Sequence, residues 1–252
     1  QHYSQTITAI KKGYHILLEK PISPFAEECM DIAQTAARYD RHVVVCHVLR
    51  YAMFYQMMKF YLDSGRIGDL VSIQHIENVG WWHYAHSFVR GNWRNSAQSS
   101  PMILAKSCHD MDLMRWLCGK PALRLSSFGS CKHFKSGCAP AGAAKRCLDG
   151  CAAKTYCQFD AEKYYVYRKY GAAEEAAWPT SVLTNEYTLP AVLEALKTGP
   201  YGRCVYYCDN DVVDHQVVNI EFEDEITASF TMCGLTKEID RETNLFGTRG
   251  EI

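Results

Sequence analysis

The chain has 252 residues, 48% of them hydrophobic, 22% charged and 12% aromatic, with a formal net charge of −1. That composition excludes a disordered or fibrous protein, and the near-zero charge lacks the electrostatic footprint of a general nucleic-acid binder. Lys, Glu, Arg or His interrupts every apolar stretch before it reaches membrane-spanning length, so no membrane partner is expected.

In chain order, residues 3–12 read as a helix with Ile7 and Ile10 on one face and Gly13 as its stop. Residues 14–18 (YHILL) form a short buried strand, closed by Glu19-Lys20-Pro21. Ser23 as N-cap and Pro24 at the first helical position open a second helix, whose apolar residues Phe25, Cys29, Ile32, Ala33 and Ala36 keep helical spacing. The run His42-Val43-Val44-Val45-Cys46 is typical of a strand covered on both faces. A Met- and aromatic-rich helix follows over 53–63. This helix–strand alternation is the rhythm of a doubly wound parallel sheet.

After Gly68 the rhythm changes. Residues 70–78 (LVSIQHIEN) alternate as a strand with one face on a core. A loop rich in Trp, His, Arg and Asn covers 80–100, a helix covers 108–118, and Arg124 to Ser130 forms a strand. Val217–Phe222 and Ile226–Met232 make a hairpin about Glu223-Asp224-Glu225, and Leu245–Ile252 is one more strand or a bend within one. The fold class is therefore α/β plus α+β. Residues 1–69 are the remainder of a parallel-sheet domain, and 70–252 are a mostly antiparallel domain with helices on one face and a Cys-rich insertion near 131–160.

The chain holds twelve cysteines, five of them at 131, 138, 147, 151 and 157. No secretion signal is visible at the N-terminus, so a disulfide framework is the weaker reading and a cytoplasmic location is expected. The spacing of Cys147, Cys151 and Cys157 lets three thiolates converge on a structural zinc ion, with Cys138, Cys131 or His133 as a fourth ligand. No Cys-x-x-Cys knuckle is present, and the equal alternative is a loop of reduced, idle thiols.

Glu19-Lys20-Pro21 stands at the C-terminal end of a buried strand, where open α/β sheets place ligands. Partial desolvation there fits Lys20 for proton transfer or for polarising an oxygen. In Lys106-Ser107-Cys108-His109-Asp110-Met111-Asp112, His109 and Asp112 are three apart and share a helix face. A His there can take a hydroxyl proton while a carboxylate orients its ring. Asp110 reads as an acid that complements the helix dipole.

The run from Gly13 to Ser23 (GYHILLEKPIS) resembles the signature of the glucose–fructose oxidoreductase / inositol dehydrogenase / rhizopine-catabolism (Gfo/Idh/MocA) family. His109-Asp110-Met111-Asp112 with Leu113 and Trp116 is similar to that family's His-bearing helix, and Gly247-Thr248-Arg249-Gly250 to its late strand end. The Cys-rich insert resembles one carried by a branch of the family. The resemblance implies a Rossmann-like domain followed by a mostly antiparallel sheet domain. It also implies hydride transfer between NAD or NADP and a hydroxyl of a sugar or cyclic polyol. On that basis Lys20 is the lysine beside the nicotinamide and the reacting oxygen, and His109 is the acid/base. Glu19, Pro21, His47 and Arg50 lie on the cofactor side. Asn92, Trp93, Arg94, Lys106 and Asp112 face the substrate, the first three on grounds of polarity and stacking capacity. A homo-oligomer through the C-terminal sheet is expected.

Two departures stand out. Ala105 occupies the place, four residues before the His, where many members carry Asp. No G-x-G-x-x-G phosphate loop occurs in the 252 residues, so the sequence reads as a piece of a longer protein that would by itself bind NAD(P) poorly. Two other readings remain open. One is an enzyme that uses a held NAD for glycoside cleavage or epimerisation without net oxidation. The other is a non-catalytic binding or oligomerisation module built on the sheet.

Overall fold

The computed structural model describes residues 2–167 and 178–252. The chain forms a small parallel unit followed by a larger unit built on a six-stranded sheet.

In the small unit, α1 (His2–Lys11) and α2 (Ala26–Arg38) pack on a parallel pair, β1 (Ile16–Leu18) and β2 (Val43–Val45). Ile10, Leu18, Ile32 and Ala36 make its core. The sheet is covered on one face only among the described residues: Leu17 and Val44 are 75% and 51% exposed. The all-apolar β2 run thus misled the expectation of two covered faces. β1 is also shorter than the sequence suggests, because residues 14 and 15 lie before the ladder. The start of α2 is displaced as well. Phe25 takes the N-cap place with no side-chain cap. Ser23 Oγ instead accepts from the Phe25 N–H at 3.1 Å and donates to Glu28, bracing the turn ahead of the helix.

In the larger unit, α3 (Met53–Asp63) leads to β3 (Leu70–Asn78), and α4 (Cys108–Cys118) leads to β4 (Ala122–Ser130). After the Cys-rich segment come α5 (Leu189–Thr198), β5 (His215–Phe222), β6 (Thr227–Cys233), β7 (Asp240–Gly247) and the short β8 (Gly250–Glu251). The strand order is β4-β5-β6-β3-β7-β8. Neighbours run antiparallel except the central β3–β6 pair, which is parallel. The predicted hairpin is β5–β6, and the late strand turns at Thr248-Arg249 into β8. Ile73, Val218, Phe222, Phe230, Met232 and Leu245 pack in one core with Leu113, Met114 and Leu117 of α4 and with Tyr55 and Met58 of α3. Gly119 at φ +72° ends α4 in the left-handed conformation that Gly adopts at least cost.

Two stretches depart from the sequence reading. Residues 81–90 are not a loop: one helical turn (Trp81–Tyr84) continues into a wider-turned helix (Ala85–Arg90), and residues 84–90 are buried. Helices buried all round show no amphipathic period. The Cys-rich segment is a packed element. Backbone bonds from Cys147 N to Gly202 O and from Cys204 N to Lys145 O, both 2.9 Å, pin it to the strand-like run near 203. Cys147, Tyr164, Tyr165 and Val166 join Val192 and Leu196 of α5 in a second core.

Candidate active site

β1 and β2 run parallel, so their C-terminal ends deliver Glu19-Lys20-Pro21 and His47 to one edge of the small unit. The N-terminal end of α4 faces that edge. Lys20 Nζ donates to the main-chain oxygen of Ala105 at 3.1 Å, the position where many relatives were expected to carry Asp. Lys20 therefore has a neutral acceptor here. One turn on, His109 stacks edge-on against His47, with ring centroids 6.2 Å apart. Burial, reinforced by the charges of Lys20 and Arg241, pulls the His109 imidazole down to about 4 against the opposing pull of Asp110. His109 is thus neutral at physiological pH, and its Nδ1 is buried with no hydrogen bond among the described residues. Burial lowers His47 too, opposed by Asp112 and helped by Arg50 and Lys20. Glu19 sits against the Cys46 thiol.

Asp112 shares the helix face of His109, but its carboxylate turns to the small unit. It accepts from Arg50 Nε at 2.7 Å and Nη2 at 2.5 Å, a bidentate pair, and lies 3.6 Å from His47. Arg50, expected on the cofactor side, is thereby committed to a clamp between the two units, with Trp116 beneath its guanidinium. The expected Asp112–His109 pairing gives way to this stronger charge-assisted one.

Asp110 does stand in the first turn of α4, where the sequence reading puts it, but it does more than complement the dipole. It is fully buried and accepts from Arg241 Nε at 2.8 Å, with His75 Nε2 at 3.0 Å. Arg241 Nε also lies 2.7 Å from the buried Glu77, whose other oxygen meets Lys106 Nζ at 3.0 Å. Lys106, expected to face substrate, is drawn inward by that carboxylate. Burial and the neighbouring Asp110 push the Glu77 carboxyl up, opposed by Lys106 and Arg241. Burial acts on Asp110 in the same sense, but hydrogen bonds from His75 and Arg241 hold it below its ordinary value. The sequence did contain a signal for this cluster: period 2 puts His75 and Glu77 on the face of Ile73, the buried face of β3.

Asn92, Trp93 and Arg94 lie elsewhere. They border a cleft of about 740 Å³ with Pro21 to Phe25 and Glu28, and this cleft is not lined by Lys20 or His109. Arg94 is held by Asp209 at 2.7 and 3.1 Å. Cys147, Cys151 and Cys157 do line one narrow cavity with Cys204 and Arg90. Even so, among the described residues no group of three or more His, Cys, Asp or Glu is arranged to hold a metal ion. No helix of the described residues is long and apolar enough to cross a membrane.

Residues 1–47 match the oxidoreductase family with an NAD-binding Rossmann fold, and residues 55–168 match the GFO/IDH/MocA C-terminal domain. Inositol 2-dehydrogenase 2 of Saccharopolyspora erythraea is 28% identical over 120 residues, 47% of this chain and 32% of that protein. The 2,7-anhydro-N-acetylneuraminate hydratase of Escherichia coli is 24% identical over 119 residues, 47% of this chain and 31% of that protein. These matches span about a third of the curated relatives' length. The scyllo-inositol dehydrogenase of Lactobacillus casei, solved with bound NAD(H) and scyllo-inositol, shares the fold. It has a TM-score of 0.60 and 19% identity, over all of this chain and 53% of that one. A parallel pair that carries Glu-Lys-Pro, a His-bearing helix facing it, a mostly antiparallel sheet behind and both halves of the family signature together show that the chain belongs to the Gfo/Idh/MocA oxidoreductase family.

Proposed function

We propose that this chain carries the acid/base half of an NAD(P)-dependent oxidoreductase that oxidises a secondary hydroxyl of a sugar or cyclic polyol. The observation that carries the reading is the pairing across the two units: Lys20 bound to Ala105 O, with a neutral His109 one turn further on. A nicotinamide fits this edge. Both parallel strands end there, and His109 Nδ1 is an orphaned buried polar atom. Glu19, Lys20, Pro21 and His47 would hold the nicotinamide end; the 252 residues contain no Gly-rich loop for the pyrophosphate. When bound, the nicotinamide supplies a hydride acceptor.

The chain's own residues handle the proton. Neutral His109 accepts it from the substrate hydroxyl as the C–H bond breaks, and the Lys20 ammonium stabilises the oxygen as negative charge develops on it. Arg50 and Asp112 keep the two units in register so that Lys20 and His109 converge. We place the functional division at residue 69, with 1–69 on the cofactor side and 70–252 on the substrate side. Asn92 and Trp93 offer an amide and an exposed ring to a sugar at the neighbouring cleft. A homo-oligomer would form through the open sheet face, where Phe128, Val217 and Phe246 are exposed.

The test is NAD(P)H formation by the whole protein from its source with inositols and sugars. Turnover that falls by about 10²–10⁴-fold in Lys20→Ala or His109→Gln supports the reading. Product formation without NAD(P)H accumulation replaces it with the redox-neutral reading, which the similarity to a hydratase favours.

A further inference from the structure

Beneath His109 lies a buried ionic array that no step above uses. Glu77 and Asp110 are both fully buried, as is His75. Arg241 Nε stands between the two carboxylates, at 2.7 and 2.8 Å. Lys106 closes the Glu77 side, and His75, backed by Thr243 Oγ1 at 2.7 Å, closes the Asp110 side. Asp110 follows His109 directly in the first turn of α4, while Arg241 and Thr243 belong to β7 and His75 and Glu77 to β3. The array thus bolts the start of the His-bearing helix to the middle of the sheet.

We propose that Asp110 and Arg241 are positioning residues for His109, fixing the first turn of α4 and setting the field at its imidazole. This rests on His109 as acid/base. Two observations point to a role beyond packing. Buried ion pairs are seldom a net gain in stability over apolar residues of like volume, so a four-charge array is an expensive way to hold a helix. Its charges also act on His109 in opposite senses: Asp110 favours the imidazolium, Arg241 the neutral ring. The other groups facing His109 are Lys20 after β1 and His47 after β2, with Arg50 and Asp112 beyond them.

The test uses the full-length protein and needs no substrate. The imidazole of His109, assigned by its loss in His109→Gln, is titrated by NMR. Arg241→Met should raise the His109 midpoint by about one pH unit, Asp110→Asn should lower it, and Arg241→Lys should leave it in place. If both neutralising variants move the midpoint toward the ordinary imidazole value, the array merely packs and the proposal fails; no movement in either also overturns it. Should Asp110→Asn not fold, the contrast of Arg241→Met with Arg241→Lys decides alone. In the same protein, a kcat reduced by about 10-fold or more in Asp110→Asn with KM kept would add support, and an unchanged kcat would count against it. Wild-type protein that forms no NAD(P)H with any polyol sinks the oxidoreductase reading, not the titration result.

Discussion

Two arginines of the larger unit turn inward, Arg90 fully buried and Arg241 partly so, and they are solved differently. Arg241 faces two carboxylates, Glu77 and Asp110. Arg90 is entirely buried yet is held by the carbonyls of Arg203 and Phe159, each at 2.7 Å, and by the Cys147 sulfur at 3.6 Å. The first is part of a charge-compensated array under the candidate site. The second is a clamp: its donors stitch the helical run after β3 to the Cys-rich segment and to the run at 203. A guanidinium can serve either end because it offers five fixed donors and keeps its charge in both. What differs is what is left behind when it goes: two facing anions in one case, dipoles in the other.

Removing Arg241 should therefore do the greater damage. Arg241→Met is expected to cost about 3–5 kcal/mol, because it leaves Glu77 and Asp110 buried without their shared cation. Urea unfolding would read this, and a cost below that of Arg90→Met would break the comparison. Arg90→Met should cost about 1–3 kcal/mol, the toll of stranded carbonyls. Its cost should not change between pH 6 and pH 8, since carbonyls do not titrate.

Each arginine also adds a small push to a nearby histidine that burial keeps neutral. Burial brings His83 to about 4, helped by Lys106 and Arg241, and brings His86 to about 3, helped by His83 and Arg90. His86 Nδ1 is engaged by the Tyr165 hydroxyl at 2.7 Å. The sign follows from linkage: the unfolded chain binds a proton near pH 6.5 that the folded one refuses. The stability contributed by each neutral ring is thus complete above about pH 6.5 and drains away as pH falls toward about 4 for His83 and about 3 for His86. Melting temperatures should hold level from pH 7.5 to about 6.5 and then fall toward pH 4.5, less so for His86→Asn; equal slopes would remove His86 from the account. The smallest effect belongs to a surface pair. Arg94 and Arg203 both reach Asp209, which is 47% exposed. Asp209→Asn should cost under about 1 kcal/mol and shrink further in high salt, which solvent screening demands.

The elements with a clean period were legible. β3 and α4 begin and end where the alternation of LVSIQHIEN and the run carrying Met111, Leu113, Met114 and Trp116 put them. The motifs singled out Lys20 and His109, and the structure brings both to one edge. The parallel β3–β6 seam was not legible, because pairing between distant strands leaves no local signal. The 81–90 helix was hidden because residues 84–90 are buried on every side, polar His86, Ser87 and Arg90 included. Arg241 was invisible as a partner: it stands 131 residues from Asp110, and nothing near either residue announces the other.

That separation bears on how the protein is made. β3 and α4 leave the ribosome carrying Glu77, His75 and Asp110, yet the cation that the two acids share, Arg241, arrives only with β7. At ordinary elongation rates of about 5–20 residues per second, the 131 residues between Asp110 and Arg241 correspond to roughly 7–26 s. During that interval the inner face of β3 has only Lys106 and His75 to answer its acids, and its parallel neighbour β6 is itself not yet synthesised or only just so. The shared cation of the array therefore joins only with one of the last strands of the larger unit to be made. A nascent chain stalled before β7 should be open to proteases at β3 while the small unit, whose β1–β2 ladder is complete by residue 45, is already shielded.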